Sequence, residues 1–129
     1  MNNAIISIGS NINPKENVAR AILILGKKFS VLKKASVLKT KPIGFQSQAD
    51  FLNTAVSIEC AESLEELNGK LKEIESEMGR KKNPRKDGPR IIDLDILAWN
   101  GSIIDGNVGK KEWGFLKKLI AELSSRENP

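Results

Sequence analysis

The sequence of 129 residues predicts one α+β domain in which the elements run β-α-β-β-α-β and a further helix follows. Three observations carry this prediction. The segment 51–60 alternates apolar and polar side chains, which is typical of a half-buried strand. Two segments, 14–26 and 63–78, repeat apolar residues at helical spacing. An apolar run at 91–97 is interrupted by Asp93 and Asp95 in alternation, which again indicates a strand.

The first half of the chain supplies one helix between extended segments. Residues 3–8 form a short apolar run that predicts a buried strand, and Gly9-Ser10-Asn11 ends it. Asn13 is predicted as an N-cap, with Pro14 in the first helical turn. The segment 29–40 predicts a strand with an irregular middle, and 41–50 predicts a loop because it holds proline, glycine and several polar residues.

The second half has sharper boundary signals. Ser63 and Glu66 form a capping box that opens the second helix, and Gly79 is a helix stop. After the strand at 91–97, Asn100-Gly101 predicts a turn into a short returning strand at 102–104. Apolar residues at 113, 116, 120 and 123 predict a last amphipathic helix. The order of elements predicts a ferredoxin-like fold, a split βαβ pair that gives an antiparallel sheet with helices on one face.

The amino-acid composition favours some classes of function and excludes others. The formal net charge of +5 favours anionic partners, either nucleotide phosphates or nucleic acid. The chain has no histidine, which excludes histidine-based metal sites and histidine acid–base catalysis. The lone cysteine, Cys60, fits a reducing compartment, and no apolar run has the length of a membrane span, so we expect a cytoplasmic protein without a membrane partner. No repeat or internal boundary divides residues 1–129.

The segment 79–97 carries the clearest chemical signal. A basic stretch that includes Arg80, Lys82 and Arg90 leads into the strand that contains Asp93 and Asp95. Residues two apart in a strand face the same side, so the two carboxylates should lie together and repel unless a cation sits between them. Oxygen ligands of this kind suit Mg²⁺. A solvated acidic edge and a solubilising basic loop remain the alternative interpretation of the same residues.

A second candidate site lies on the strand at 51–60. Phe51 and Asn53 share the face opposite the apolar one, next to the loop at 41–50. An aromatic ring beside an amide is either an ordinary exposed pair or the floor of a site for a planar ligand. The residues alone leave both interpretations open.

Three motifs resemble one known family. The block GPRIIDLDIL at 88–97, preceded by GRKKNPRKD, resembles the signature of 6-hydroxymethyl-7,8-dihydropterin pyrophosphokinases, enzymes of folate biosynthesis. Two further blocks follow the family's order, TKPIGF at 40–45 with Gln48 and 51–53, and IGSN at 8–11. The resemblance implies the same fold, a monomer in the family's manner, and transfer of pyrophosphate from ATP to the pterin hydroxymethyl group.

The resemblance also implies roles for individual residues. Asp93 and Asp95 match the ligands of two Mg²⁺ ions. Positions that match the ATP site and its mobile loop are Arg80, Lys82, Arg90 and Ile96. Positions that match the pterin pocket are Thr40, Ile43, Phe51, Asn53 and Phe115. The resemblance and the glycine content of 79–90 together predict a loop that closes over substrate.

The chain departs from the family pattern at three places, the first of which is Lys82, where the family often has a second loop arginine. Asp87 stands where the family often has tryptophan, and the segment between Ile104 and Trp113 is too short for the family's histidine-containing ATP segment. A catalytically weak or silent nucleotide- or pterin-binding protein is therefore one alternative. A single-stranded nucleic-acid-binding module is another, which a 5% aromatic content without tyrosine disfavours.

Overall fold

The computed structural model describes residues 1–44, 47–80 and 88–124, and its sheet is built around the first strand. The strands are β1 (Asn2–Ser10), β2 (Ser30–Lys34), β3 (Leu38–Thr40), β4 (Phe51–Cys60), β5 (Asp93–Trp99) and β6 (Ser102–Ile103). The helices are α1 (Pro14–Lys28), α2 (Leu64–Glu77) and α3 (Gly114–Ser124), and a 3-10 turn, Lys111–Trp113, precedes α3.

The sheet has the order β2-β4-β1-β5-β6, with β3 pairing beside β2 on β4. Every pairing is antiparallel, and β1 lies between β4 and β5. The α+β, ferredoxin-like prediction is confirmed, because α1 and α2 each connect strands that are separated by one strand of the sheet. The irregular middle expected in 29–40 is also present, since β2 and β3 are separate strands and the register on β4 shifts between Val31 and Lys33.

One face of the sheet forms the main core with α1 and α2. Strand alternation places Ala4, Ile6 and Ile8 of β1 on this face, where they are nearly or fully buried. The apolar stripe predicted for α2 is confirmed at Leu67, Leu71 and Ile74, which are fully buried. Burial at about 25 cal/mol per Å² of apolar surface makes this layer the main source of stability.

Three helix ends lie at the residues that the sequence predicted. The capping box of α2 is present, with Ser63 Oγ accepting from the Glu66 N–H at 3.1 Å. After α2, Gly79 has φ 97°, a left-handed conformation that suits glycine, and this turns the chain back so that Arg80 N–H donates to the Glu75 carbonyl. The prediction for α1 is confirmed, since Asn13 is its N-cap residue and Pro14 lies in the first turn, although Asn13 is left-handed and its side chain makes no capping bond.

The third helix lies on the opposite face of the sheet and contacts β4 and β1. Leu116 and Leu119 are buried there, on the side where Ala55 of β4 is also fully buried. The end of α3 is tied to the β2–β3 connection, because Glu122 accepts hydrogen bonds from Ser36 N–H at 2.9 Å and from Ser36 Oγ at 2.6 Å. This helix covers only part of the face, and the uncovered part holds the candidate site.

In the part of the chain that the structure describes, no helix is long and apolar enough to cross a membrane.

Candidate active site

A cavity of about 630 Å³ lies between the second face of the sheet and α3. Its walls come from β1, the β3 end and following loop, β4, the residues flanking 81–87, β5 and α3. The lining residues are Ser7, Gly9, Thr40, Lys41, Ile43, Gly44, Phe51, Asn53, Arg80, Gly88, Arg90, Asp93, Asp95, Trp113, Phe115, Leu116 and Leu119. The cavity therefore brings together the acidic pair and the Phe51–Asn53 pair, which the sequence presented as two separate candidates.

Asp93 and Asp95 lie side by side on β5, as alternation predicted. They are paired across the sheet with Gly9 and Ser7 of β1, while Leu94 between them is buried in the core. Burial first, and the negative charge of Asp93 second, raise the pKa of Asp95 from 3.8 to about 7. Ionising both carboxylates at the same time is therefore unfavourable in this setting.

The donor set of this pair fits a hard divalent cation. Within residues 1–44, 47–80 and 88–124, no group of three or more His, Cys, Asp or Glu side chains could hold a metal ion. Two carboxylates are nevertheless the usual protein share of a Mg²⁺ site, since that ion keeps waters and takes phosphate oxygens for its other positions. A cation here would offset the burial, and the repulsion by Asp93, that raise the pKa of Asp95.

Glu75 is a buried carboxylate beneath the acidic pair, and no sequence pattern marked it as functional. Its Oε2 accepts from Arg80 Nη1 at 2.7 Å and from the Leu94 N–H at 2.7 Å. Arg80 Nη1 also lies 2.9 Å from Asp93 Oδ1. Glu75 is 3% exposed, so these bonds form in a largely dry setting, where charged hydrogen bonds are stronger.

The consequence of these bonds is a fixed arrangement of α2, Arg80 and β5. The Leu94 N–H lies between the two aspartates in the chain, so its bond to Glu75 anchors the backbone that carries them. The signal that sequence reasoning missed is that Glu75 follows Leu71 by four residues, which places a charge on the buried side of the helix.

The other predicted phosphate-binding residues are placed unequally. Arg90 lines the cavity, and its backbone N–H donates to Asn11 Oδ1 at 2.7 Å. Ile96 lies in the core on the opposite face, 9% exposed, and does not line the cavity. Lys82 and Asp87, and with them the predicted closing loop, lie outside the described residues.

The pterin-pocket residues predicted from the resemblance all line the cavity. The Asn53 amide is held in place, because its Nδ2 donates to Thr40 Oγ1 at 2.6 Å. Gly9 makes room for this amide, since a Cβ on Gly9 would lie 2.7 Å from Asn53 Oδ1. Phe51 also lines the cavity from β4. It lies two residues before Asn53 in the chain, so both side chains are on the same face of the sheet.

The helical wall of the cavity is aromatic and apolar. Phe115 lines it as predicted, and its ring lies 5.8 Å from the ring of Trp113, centroid to centroid, with 38° between the planes. Trp113, which lies in the 3-10 turn before α3, also lines the cavity, although its sequence pattern predicts only a place on the apolar face of the last helix. Such a wall suits one face of a flat ligand whose polar edge meets Asn53.

Fold and site together define a ligand-binding domain of the ferredoxin-like class, with a polar, charged half and an aromatic half in one cavity. Comparison with known proteins identifies the family within this class. Residues 5–123 match the family model described as 7,8-dihydro-6-hydroxymethylpterin-pyrophosphokinase (HPPK), and the chain belongs to that family. The resemblance inferred from the three motifs is confirmed.

Several curated relatives carry the name 2-amino-4-hydroxy-6-hydroxymethyldihydropteridine pyrophosphokinase. The protein of Bacillus subtilis is 41% identical over 109 residues, covering 81% of this chain and 65% of the relative. That of Aquifex aeolicus is 33% identical, covering 88% and 71%. That of Haemophilus influenzae is 36% identical, covering 78% and 64%. The aligned part of the chain thus spans about two thirds of the length of these relatives.

Proposed function

We propose that this protein transfers a pyrophosphoryl group from ATP to the hydroxymethyl group of 6-hydroxymethyl-7,8-dihydropterin, giving the pterin diphosphate and AMP in folate biosynthesis. The observation that carries the proposal is the single cavity that joins Asp93 and Asp95 to Phe51 and Asn53. A metal–phosphate half and a planar-ligand half must adjoin for a hydroxyl on one ligand to reach phosphorus on the other. Family membership and the names of the relatives point the same way.

In the phosphate half, the chain's contribution is positioning and charge. The substrate hydroxyl gives its proton to water and its oxygen forms a bond to the β-phosphorus. The bond from that phosphorus to the oxygen of the α-phosphate breaks, and the electron pair leaves with AMP. Such transfers depend on electrostatic stabilisation of the phosphate oxygens. Arg80 and Arg90, which reach the cavity from either side of 81–87, would donate to these oxygens.

Asp93 and Asp95 would hold Mg²⁺, and we propose two ions, as in the family. Bound Mg²⁺ supplies charge neutralisation and orientation of the phosphates. The anchoring of β5 by Glu75 keeps both carboxylates directed into the cavity. Arg80 bonds both Glu75 and Asp93, and it would connect the acidic pair to a bound triphosphate. Lys82, outside the described residues, is assigned to ATP binding by the resemblance alone. Ile96 would support ATP only from the core behind the strand.

In the pterin half, the residues supply shape and a fixed polar edge. Asn53, held by Thr40, presents its amide to the edge of a ring that carries donors and acceptors. Phe51 and Phe115, with Ile43 beside them, supply the apolar surfaces. Aromatic contacts of this kind contribute about 0.5–1.5 kcal/mol beyond the area that they bury.

The quantity to measure is AMP formed by purified protein from ATP, Mg²⁺ and 6-hydroxymethyl-7,8-dihydropterin, together with the pterin diphosphate. We expect both products in equal amounts and neither without the pterin. An Asp93→Asn variant that folds like the wild type is the matched control and should form neither. Binding of both ligands without AMP would identify a silent binding protein, and no binding of either ligand would contradict the proposal.

We also propose that residues 1–129 act as one domain, since no repeat or internal boundary divides them, and as a monomer, which is the state that the resemblance to the family implies. A cytoplasmic location is consistent with the cysteine content. Cys60 is the one cysteine of the chain and its thiol is buried, so the chain forms no internal disulfide. No membrane or nucleic-acid partner is needed for the proposed reaction.

A further inference from the structure

Asn11, the residue that follows β1, is buried between two segments that are distant in the chain. It is 6% exposed. Its backbone N–H donates to the Arg90 carbonyl at 3.0 Å, and its side-chain Oδ1 accepts from the Arg90 N–H at 2.7 Å. These two bonds fix the backbone of Arg90, whose side chain lines the phosphate half of the cavity.

The other end of the same amide holds the segment that leads into the pterin half. Asn11 Nδ2 donates to Gln48 Oε1 at 2.8 Å and to the Ala49 carbonyl at 3.1 Å. Ala49 precedes Phe51 by two residues, and Phe51 begins β4 and lines the cavity. One side chain thus links the backbone before Phe51 to the backbone of Arg90.

Asparagine is the residue type that this geometry requires. The side chain must accept one hydrogen bond and donate two, and an amide does both within a few atoms. An aspartate of the same shape would keep the acceptor for Arg90 and lose both donors. Aspartate at this position therefore removes the two donated bonds and keeps the acceptor, whereas alanine removes all three side-chain bonds.

We propose that Asn11 is a positioning residue that couples the two halves of the cavity, so that a nucleotide bound at Arg90 strengthens binding of the pterin beside Phe51, and the reverse. The proposal rests on the proposed function for the identity of the two ligands. Coupling of this kind is reciprocal, so one factor describes both directions. A link through directly bonded backbone segments is a physical route for it.

The test measures the coupling factor by titration calorimetry in the presence of Mg²⁺. A non-hydrolysable ATP analogue is titrated with and without saturating pterin, and pterin with and without saturating analogue, on the wild type, Asn11→Asp and Asn11→Ala. We expect a wild-type factor of about 5 or more, the range typical of coupled sites. In both variants the factor should fall towards 1, while the affinity for the analogue alone changes by less than about threefold in Asn11→Asp, which keeps the Arg90 arm.

Two comparisons separate coupling from a general structural role. Asn17→Asp makes the same chemical change on the neighbouring helix, where Asn17 Nδ2 donates to the Ile12 carbonyl and contacts neither arm, and it should leave the factor unchanged. Hydrogen exchange in Asn11→Asp should increase in a peptide covering 47–52 more than in one covering 88–92. Gln48 can rotate its amide to donate to the new carboxylate, but the Ala49 carbonyl cannot donate, so part of the loss must remain.

The outcomes are distinct. A wild-type factor of 1, or an unchanged factor in folded Asn11→Asp and Asn11→Ala, overturns the proposal. Equal losses of both single-ligand affinities with the factor preserved assign Asn11 a structural role only and also overturn it. A wild type that binds both ligands cooperatively but forms no AMP contradicts the proposed function, and the same calorimetry on the variants still decides the role of Asn11.

Discussion

Replacing Asp95 by asparagine should make the metal-free protein more stable and inactive at once. Burial and the charge of Asp93 raise the pKa of Asp95 to about 7, so the folded protein ionises this group at a free-energy cost. The amide in Asp95→Asn removes that cost and can donate a hydrogen bond to Asp93. A loss of activity that accompanies a gain in stability cannot be attributed to misfolding.

The sign and the size follow from linkage. The folded-state pKa lies above the unfolded one, so the stabilisation is fully present below pH 3.8 and is lost as the pH rises through about 7. A difference of about 3 pKa units at about 1.36 kcal/mol per unit gives an upper limit of about 4 kcal/mol. Burying the new amide takes back about 1–3 kcal/mol, so we expect a net gain of about 1–3 kcal/mol at pH 8.

Urea unfolding in EDTA, at pH 5 and pH 8, measures this difference. The gain in Asp95→Asn should be clear at pH 8 and much smaller at pH 5, where the wild type holds the proton. Mg²⁺ should then stabilise the wild type at pH 8 more than the variant, because it neutralises the same pair. Asp50→Asn is the matched control, since Asp50 lies 4.0 Å from Lys39 at the surface and should show no gain. The reasoning would be refuted if Asp95→Asn were less stable than the wild type at pH 8. It would also be refuted if the difference in the free energy of unfolding between variant and wild type were the same at both pH values.

Two further changes test the supports of the site. Glu75→Gln should keep an acceptor for the Leu94 N–H but lose the charged bond to Arg80, which should lower the free energy of unfolding by about 1–3 kcal/mol in urea titrations. Glu75→Leu should cost more, because that N–H is then unsatisfied, and equal costs for Gln and Leu would contradict the role given to Leu94. The same exchange of Glu for Gln at the exposed Glu73 should change the stability little. Gly9→Ala should push the Asn53 amide aside and weaken pterin binding by about 5–30-fold in calorimetry while the ATP-analogue affinity changes by less than about twofold; equal losses for both ligands would contradict it.

The sequence was sufficient to predict features that follow from the alternation of side chains between the two faces of a strand. Alternation alone placed Asp93 and Asp95 on one face, and Phe51 and Asn53 on one face, and the structure shows both pairs lining the cavity. Helix ends with strong chemistry were equally readable, as at the capping box of Ser63. These features depend on residues within a few positions of one another, which is the range over which sequence patterns are informative.

Features that depend on distant contacts were not readable. The helical spacing of α3 indicates an apolar face but not the surface that it covers, so the joint placement of Trp113 and Phe115 in the cavity wall required the structure. Glu75 meets Leu94 across 19 residues, and Asn11 meets Arg90 across 79. Local spacing can indicate that a residue such as Glu75 is buried, but no local pattern indicates which distant group it will contact.

The small residues of β1 explain why the two halves of the cavity can meet at all. Ser7 and Gly9 lie opposite Asp95 and Asp93 on one side and opposite Ala55 and Asn53 on the other, since β1 runs between β4 and β5. Strands in a sheet are only about 4.8 Å apart, so a large side chain at either position would stand between the carboxylates and the amide. The glycine also lacks a Cβ, which would lie 2.7 Å from Asn53 Oδ1. The Gly9-Ser10-Asn11 motif, the least specific of the three that carry the resemblance, therefore provides both the space between the two halves and, through Asn11, the bond that joins them.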